Sequence, residues 1–70
     1  MRISARNQLK GTIVEVTKGA TTAHVRIDIG SGSIVTASIT NQAVDDLGLA
    51  VGGEAFAVVK ASDVLVAVSD

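Results

Sequence analysis

The segment from Thr22 to Ile29 carries the pattern that most restricts how this chain can fold, because its polar and apolar side chains alternate strictly. The apolar positions are Ala23, Val25, Ile27 and Ile29, and the polar ones between them are His24, Arg26 and Asp28. A period of two is typical of a strand with one buried face, whereas an amphipathic helix needs a period of 3.6. Eleven valines, six isoleucines and no proline favour strands elsewhere as well. The sequence therefore predicts an all-β domain.

Four further strands are predicted from β-branched runs that are bounded by turn residues. They are Thr12–Thr17, Ile34–Ile39, Glu54–Lys60 and Val64–Val68. Between the third and fourth strands, Asn41–Leu47 is predicted to be a helix with one apolar face. Thr40 is suited to cap its N-terminus and Gly48 to end it.

Three strands, a short helix and two strands is the order of a small five-stranded OB-type barrel, with the helix between strands 3 and 4. Closing the barrel would remove the exposed edges that a valine-rich sheet must protect. A small open sheet that pairs between subunits is the competing architecture. Residues 1–70 are expected to form one domain.

The size of the chain predicts self-association. A domain of 70 residues buries only about 60% of the surface that its unfolded chain exposes, so it usually needs disulfides, a metal or oligomerisation. The sequence has no cysteine, and its single His24 has no partner ligand at zinc spacing. Hydrophobic residues make up 47% of the chain. Burial of this surface against further copies is therefore expected.

Charge and polarity exclude several functions. The formal net charge is −1, whereas proteins that bind nucleic-acid phosphates usually carry a basic excess. No apolar run approaches the roughly 20 residues that span a bilayer. Met1-Arg2-Ile3 is followed by polar residues, unlike a signal peptide. No side chains form a catalytic set, because His24 lies alone on a polar strand face. We expect a cytoplasmic binding protein that is not an enzyme and binds neither nucleic acid nor membranes.

Hydrogen-bond donors are concentrated in Ser4–Gly11, which contains a hydroxyl, a guanidinium, two amides and an ammonium but no carboxylate. This composition suits an anion with several acceptor oxygens. Lys60 ends a predicted strand and is followed by Ala61-Ser62, where N–H groups can converge on an anion. Thr40 would place a hydroxyl at the positive end of the helix dipole. On residue type alone, a surface lysine and an ordinary N-cap are the simpler interpretations.

The same segments resemble the molbindins, small molybdate-binding proteins also called Mop domains. The segments that carry the resemblance are Ser4–Gly11, Lys18-Gly19, Ala37–Thr40, Asp46–Leu49 and Val59–Val64. They occur in the family's order and spacing and cover essentially the whole chain. The opening motif together with Val-Lys-Ala-Ser is a specific combination, although either alone would be weak.

The resemblance implies an OB-type homohexamer, a trimer of dimers, that binds oxyanions between subunits and holds molybdenum as molybdate, without direct metal ligands. The implied donors of the first class of site are Thr40, the backbone at Ala43, Lys60, Ala61 and Ser62 of one subunit, with Ser4 and Arg6 of its neighbour. Asn7 is assigned to the same class of site. Some relatives carry serine at position 43, so Ala43 can contribute only its N–H. A second class of site, near threefold axes, is assigned to Lys18, Gly19 and Ala20.

Molybdate is a tetrahedral dianion without a proton near neutral pH. A site made only of donors favours it over hydrogen phosphate, whose P–OH would be left unpaired at a cost of roughly 1–3 kcal/mol. Tungstate is nearly the same size as molybdate and is expected to bind as well. The predicted function is therefore to store or buffer molybdate for molybdenum cofactor synthesis.

Two other functions compete with this prediction. An OB-type nucleic-acid-binding module would need basic and aromatic residues on its barrel face, whereas this chain has Phe56 as its only aromatic residue and a net charge of −1. A purely structural oligomerisation module would have no use for Ser4, Arg6, Thr40 and Lys60 together.

Overall fold

A computed structural model describes residues 1–70 and contains four strands and one helix. The elements are β1 Asn7–Lys18, β2 Thr22–Asp28, β3 Ile34–Thr40, α1 Asn41–Leu47 and β4 Glu54–Val59, followed by a 3-10 turn at Ala61–Asp63. The strands form one antiparallel sheet in the order β3-β2-β1-β4. The prediction of an all-β fold with one short helix is confirmed, and no helix is long and apolar enough to span a bilayer.

The alternation in β2 sets the position of the core. Ala23, Val25 and Ile27 are buried, while the residues between them are exposed. Ile13 of β1, Val44 of α1 and Ala57 of β4 complete the core. The helix packs beside β2 and β3 through Val44, which is its one buried residue.

The predicted helix is confirmed with its caps. The side-chain oxygen of Thr40 accepts a hydrogen bond from the N–H of Ala43 at 3.0 Å. Gly48 ends the helix in the left-handed conformation, with φ 64°, which glycine adopts without the steric cost of a Cβ.

β1 begins earlier than the sequence predicted. Residues 7–12 pair with β4, from Asn7 opposite Val59 to Thr12 opposite Glu54, and the rest of β1 pairs with β2. Thr12 pairs with both strands, opposite Glu54 of β4 and Asp28 of β2, and an irregularity follows between Ile13 and Glu15. More than half of the donor-rich segment is therefore strand, and only residues 1–6 precede the sheet.

The prediction of a fifth strand at Val64–Val68 is wrong for the single chain. These residues form no strand, and Leu65, Val66 and Val68 are 93%, 89% and 85% exposed. The 3-10 turn after β4 is held by a hydrogen bond from the N–H of Asp63 to the carbonyl of Lys60 at 2.9 Å, and it leads the chain away from the sheet. The predicted closed barrel is therefore an open four-stranded sheet in one chain, with β3 and β4 as its edges.

Gly11 lies where the backbone of β1 runs close against β2. A Cβ at this position would lie 2.7 Å from Cγ2 of Ile27 and closer still to the carbonyl oxygen of Asp28, a backbone atom that cannot rotate away. We expect Gly11→Ala to lower the free energy of unfolding by about 1–3 kcal/mol because the two strands must separate. Urea denaturation at a fixed chain concentration measures this. The neighbouring exposed substitution Lys10→Ala is expected to change stability by less than about 0.5 kcal/mol, and equal midpoints for the two variants would contradict the close approach.

Candidate functional site

An open cleft of about 670 Å³ lies at the end of the sheet where β1 begins and β4 ends. Its lining residues are Ile3, Ser4, Ala5, Arg6, Val58, Lys60, Ala61, Ser62 and Asp63. The pairing of Asn7 with Val59 forms this cleft, because it fixes the residues before β1 beside those that follow β4. Five of the residues predicted from the sequence to bind an oxyanion, two from the first segment and three from the last, therefore line one cleft of one chain.

The donors in this cleft have no partners within the chain. The N–H groups of Ala61 and Ser62 make no hydrogen bond, since the two bonds of the turn are donated by Asp63 and Val64. Neither Arg6 nor Lys60 takes part in an ion pair, and the three ion pairs of the structure lie elsewhere. Two cationic side chains and two backbone N–H groups are thus free to bind an anion.

Asn7 lies beside the cleft and does not line it in the single chain. Its side-chain amide donates to the carbonyl oxygen of Val59 at 3.2 Å. This contact ties the first residue of β1 to the last residue of β4. Asn7 therefore fixes the geometry of the cleft from outside it.

Asp63 is a cleft residue that the sequence analysis missed. It directly follows the Val-Lys-Ala-Ser motif, and its position in the same turn was the available signal. A carboxylate can accept a hydrogen bond but cannot donate one when ionised. The lining of the cleft is therefore donor-rich without being donor-only.

Thr40 and Ala43 do not line this cleft. Thr40 pairs with Thr22, which begins the strand that pairs with the C-terminal half of β1, whereas the cleft lies at the N-terminus of β1. In addition, the N–H of Ala43 is already bonded to the Thr40 side chain. Thr40 and Ala43 therefore lie outside the cleft that Lys60 lines in the single chain.

The turn assigned to a second site lies at the same end as Thr40, and its polar groups largely have partners. Lys18 forms an ion pair with Asp45 of α1. The N–H of Gly19 donates to the carbonyl of Thr22 at 2.7 Å, and the carbonyl of Gly19 accepts from the Asn41 side chain at 2.9 Å. An anion would have to compete with Asp45 for Lys18.

No group of three or more His, Asp or Glu side chains is placed to hold a metal ion.

Comparisons with known proteins agree with the resemblance stated from the motifs. The model of the TOBE domain family matches residues 3–66. The chain is 48% identical to a probable molybdenum-pterin-binding protein of Haemophilus influenzae, over 97% of this chain and 99% of that protein. The structure superimposes on MopII from Clostridium pasteurianum with a TM-score of 0.89 at 45% identity, covering 96% of this chain and 100% of MopII.

A second solved structure is the cytoplasmic molybdate-binding protein ModG with molybdate bound, at a TM-score of 0.88 and 43% identity. The match covers 93% of this chain and 46% of ModG. The predicted resemblance to Mop-type proteins is confirmed by these relatives. The chain belongs to the TOBE-domain family and is related over nearly its whole length to the molybdenum-pterin-binding proteins of the Mop type.

Proposed function

We propose that this protein binds molybdate in the cleft between residues 3–6 and 60–63 and stores the oxyanion in the cytoplasm. The observation that carries the proposal is that Arg6, Lys60 and the free N–H groups of Ala61 and Ser62 belong to one cleft. Two cations match the charge of a dianion, and the backbone N–H groups add directional hydrogen bonds. The molybdate bound to ModG and the names of the Mop-type relatives support this ligand.

The shape of the cleft supports binding between subunits. At about 670 Å³ the cleft has the size of a pocket for a drug-like molecule, far larger than a five-atom oxyanion needs. The charge-assisted contacts gain strength only when water is excluded. A second subunit that covers the cleft would supply this exclusion. We propose a homohexamer, a trimer of dimers, in which the Thr40 end of another subunit covers the cleft.

The lining of the cleft favours the free oxyanion over a molybdenum–pterin complex. A pterin ring in a protein site is expected to stack on an aromatic side chain. The cleft has none, and Phe56, which is the only aromatic residue of the chain, does not line it. Equilibrium dialysis of the purified protein against sodium molybdate tests the proposal. Elemental analysis of protein from molybdate-fed cells tests whether the same loading occurs in vivo, and absence of bound molybdenum in both experiments would refute storage.

Selectivity provides a further prediction. We expect molybdate and tungstate to compete for the same sites in calorimetric titrations, because both are proton-free tetrahedral dianions of nearly equal size. Hydrogen phosphate is expected not to displace molybdate at equimolar concentration, since its P–OH needs an acceptor. Asp63 is the only carboxylate in the cleft lining. Displacement of molybdate by phosphate would contradict the prediction. Loss of that displacement in Asp63→Ala, which removes the carboxylate and leaves no side-chain oxygen, would identify Asp63 as the acceptor.

A further inference from the structure

A single hydrogen bond holds residues 1–6, the segment that brings Ser4 and Arg6 into the cleft. The side-chain amide of Gln8 donates to the carbonyl oxygen of Ala5 at 3.0 Å. No other hydrogen bond of the chain involves residues 1–6, which belong to no strand. A segment without tethers loses conformational freedom when a ligand binds to it, and this loss lowers the affinity. Gln8 is therefore placed to reduce that cost.

The position of Gln8 determines which way the peptide group between Ala5 and Arg6 faces. Ala5 lines the cleft, whereas Gln8 lies on β1 opposite Val58 and does not line it. The carbonyl oxygen of Ala5 is thus bonded to a side chain outside the cleft lining. All peptide bonds of the chain are trans, so the N–H of Arg6 points in the opposite direction from this carbonyl, away from Gln8. This N–H makes no hydrogen bond within the chain.

Asn7 makes the equivalent contact on the other wall of the cleft. The carbonyl oxygen of Val59, to which Asn7 donates, belongs to the peptide group that leads into Lys60. The N–H of Lys60 also has no hydrogen-bond partner in the chain. Successive side chains of a strand point to opposite faces, so the contacts of Asn7 and Gln8 are separate. Two neighbouring amides therefore hold the peptide groups that precede the two cationic residues of the cleft.

We propose that Gln8 is a positioning residue of the oxyanion cleft, with Asn7 as its counterpart on the other wall, an inference that rests on the proposed molybdate binding. Gln8 orients the N–H of Arg6 toward the anion, and Asn7 does the same for the N–H of Lys60. Each amide also occupies a carbonyl oxygen, an acceptor that would repel an anion if it turned into the cleft. Neither amide side chain contacts the ligand itself.

The first test measures affinity in Gln8→Met, which keeps the length of the side chain and removes its donor. Gln8 is exposed, so the fold is expected to be retained. Calorimetric titration with sodium molybdate is expected to show binding about tenfold weaker, the lower end of the loss seen when a group that orients a ligand-binding residue is removed. The matched control is Thr17→Ala, which removes another exposed side-chain hydrogen bond of β1, to Glu15, away from the cleft. Its affinity is expected to stay within about twofold.

The second test distinguishes positioning from a general loss of structure. In ¹⁵N-labelled protein, saturating sodium molybdate is expected to shift the amide proton resonances of both Arg6 and Lys60 downfield, as charge-assisted hydrogen bonds form. In Gln8→Met the shift at Arg6 is expected to be lost and the shift at Lys60 retained. Asn7→Ala is expected to give the reverse pattern. Equal loss at both residues, or no shift at Arg6 in the unmodified protein, would overturn the positioning role.

A measurement without ligand separates the tether from the binding. The ¹H–¹⁵N nuclear Overhauser effect of residues 4–6 is expected to fall in Gln8→Met and to stay unchanged in Thr17→Ala, because only the first variant frees the segment. Unchanged values in Gln8→Met would refute the tether. If the unmodified protein fails to bind molybdate, the proposed function is wrong and the positioning role falls with it. If the unmodified protein and Gln8→Met bind molybdate equally well, only the positioning role is refuted.

Discussion

Arg6→Ala and Lys60→Ala are each expected to weaken molybdate binding at least about thirtyfold. Both side chains line the same cleft and lack an ion-pair partner within the chain, so each is available to neutralise one charge of the ligand. Loss of one partner from a desolvated charged contact costs about 2–5 kcal/mol, and each 1.4 kcal/mol corresponds to a factor of ten. Calorimetric titration measures the affinity. The control is Lys10→Ala, which removes a lysine that pairs with Glu54 outside the cleft.

Mixing the variants shows which residues of one binding site come from the same subunit. Because the structure places Arg6 and Lys60 in one cleft, subunit exchange between Arg6→Ala and Lys60→Ala proteins is expected to restore no high-affinity sites. Exchange between Thr40→Ala and Lys60→Ala proteins is expected to restore a fraction of the high-affinity sites. In a mixed assembly, some clefts of the Thr40→Ala chain, which keep Lys60, would be covered by the intact Thr40 of a Lys60→Ala chain. Mass spectrometry confirms the exchange. Recovery in the first mixture would instead show that residues 4–6 and 60–62 act across an interface.

Val66→Asp is expected to abolish the assembly and, with it, most molybdate binding. Val66 is 89% exposed in the single chain, so a carboxylate there costs nothing within one subunit. In an interface between subunits, the same carboxylate would be desolvated without a partner. Sedimentation equilibrium is expected to show six chains of 7.1 kDa for the unmodified protein and smaller species for the variant.

The matched control for Val66→Asp is Val51→Asp, since Val51 is also an exposed valine but lies in the turn before β4. It is expected to leave the sedimentation unchanged. A stable monomer of the unmodified protein at micromolar concentration would contradict the assembly altogether. If both substitutions dissociate the assembly equally, residues 64–68 have no specific role in the contacts between subunits.

The sequence predicted those elements whose signals are local. The alternation in residues 22–29 identified β2 and its buried face, and the predicted strands at 34–39 and 54–60 agree with β3 and β4 to within one residue. Thr40 and Gly48 marked the ends of the helix because capping depends on a few neighbouring residues. The motifs also identified Ser4, Arg6 and Lys60–Ser62, which the structure places in one cleft.

The remaining features depend on pairing between distant segments, which no local pattern contains. Residues 7–11 are mostly polar and carry no strand pattern, but their register with β4 makes them strand. The run Val64–Val68 has the composition of a strand, yet it finds no partner within the chain. Similarly, nothing in the residue types indicated that Thr40 lies outside the cleft that Lys60 lines, because the strand register decides which residues meet.

The openness of the cleft has a consequence for how such a store would respond to its own abundance. A single chain supplies the cations and the N–H groups but leaves the ligand in contact with water. The amount of oxyanion bound would then follow the concentration of assembled protein. Near the dissociation threshold, that concentration rises more steeply than the total concentration of chains. Near the dissociation threshold of the assembly, a modest fall in expression would release a disproportionate share of the bound oxyanion. Control of protein synthesis would thus be sufficient to switch a cell between retaining and releasing molybdate.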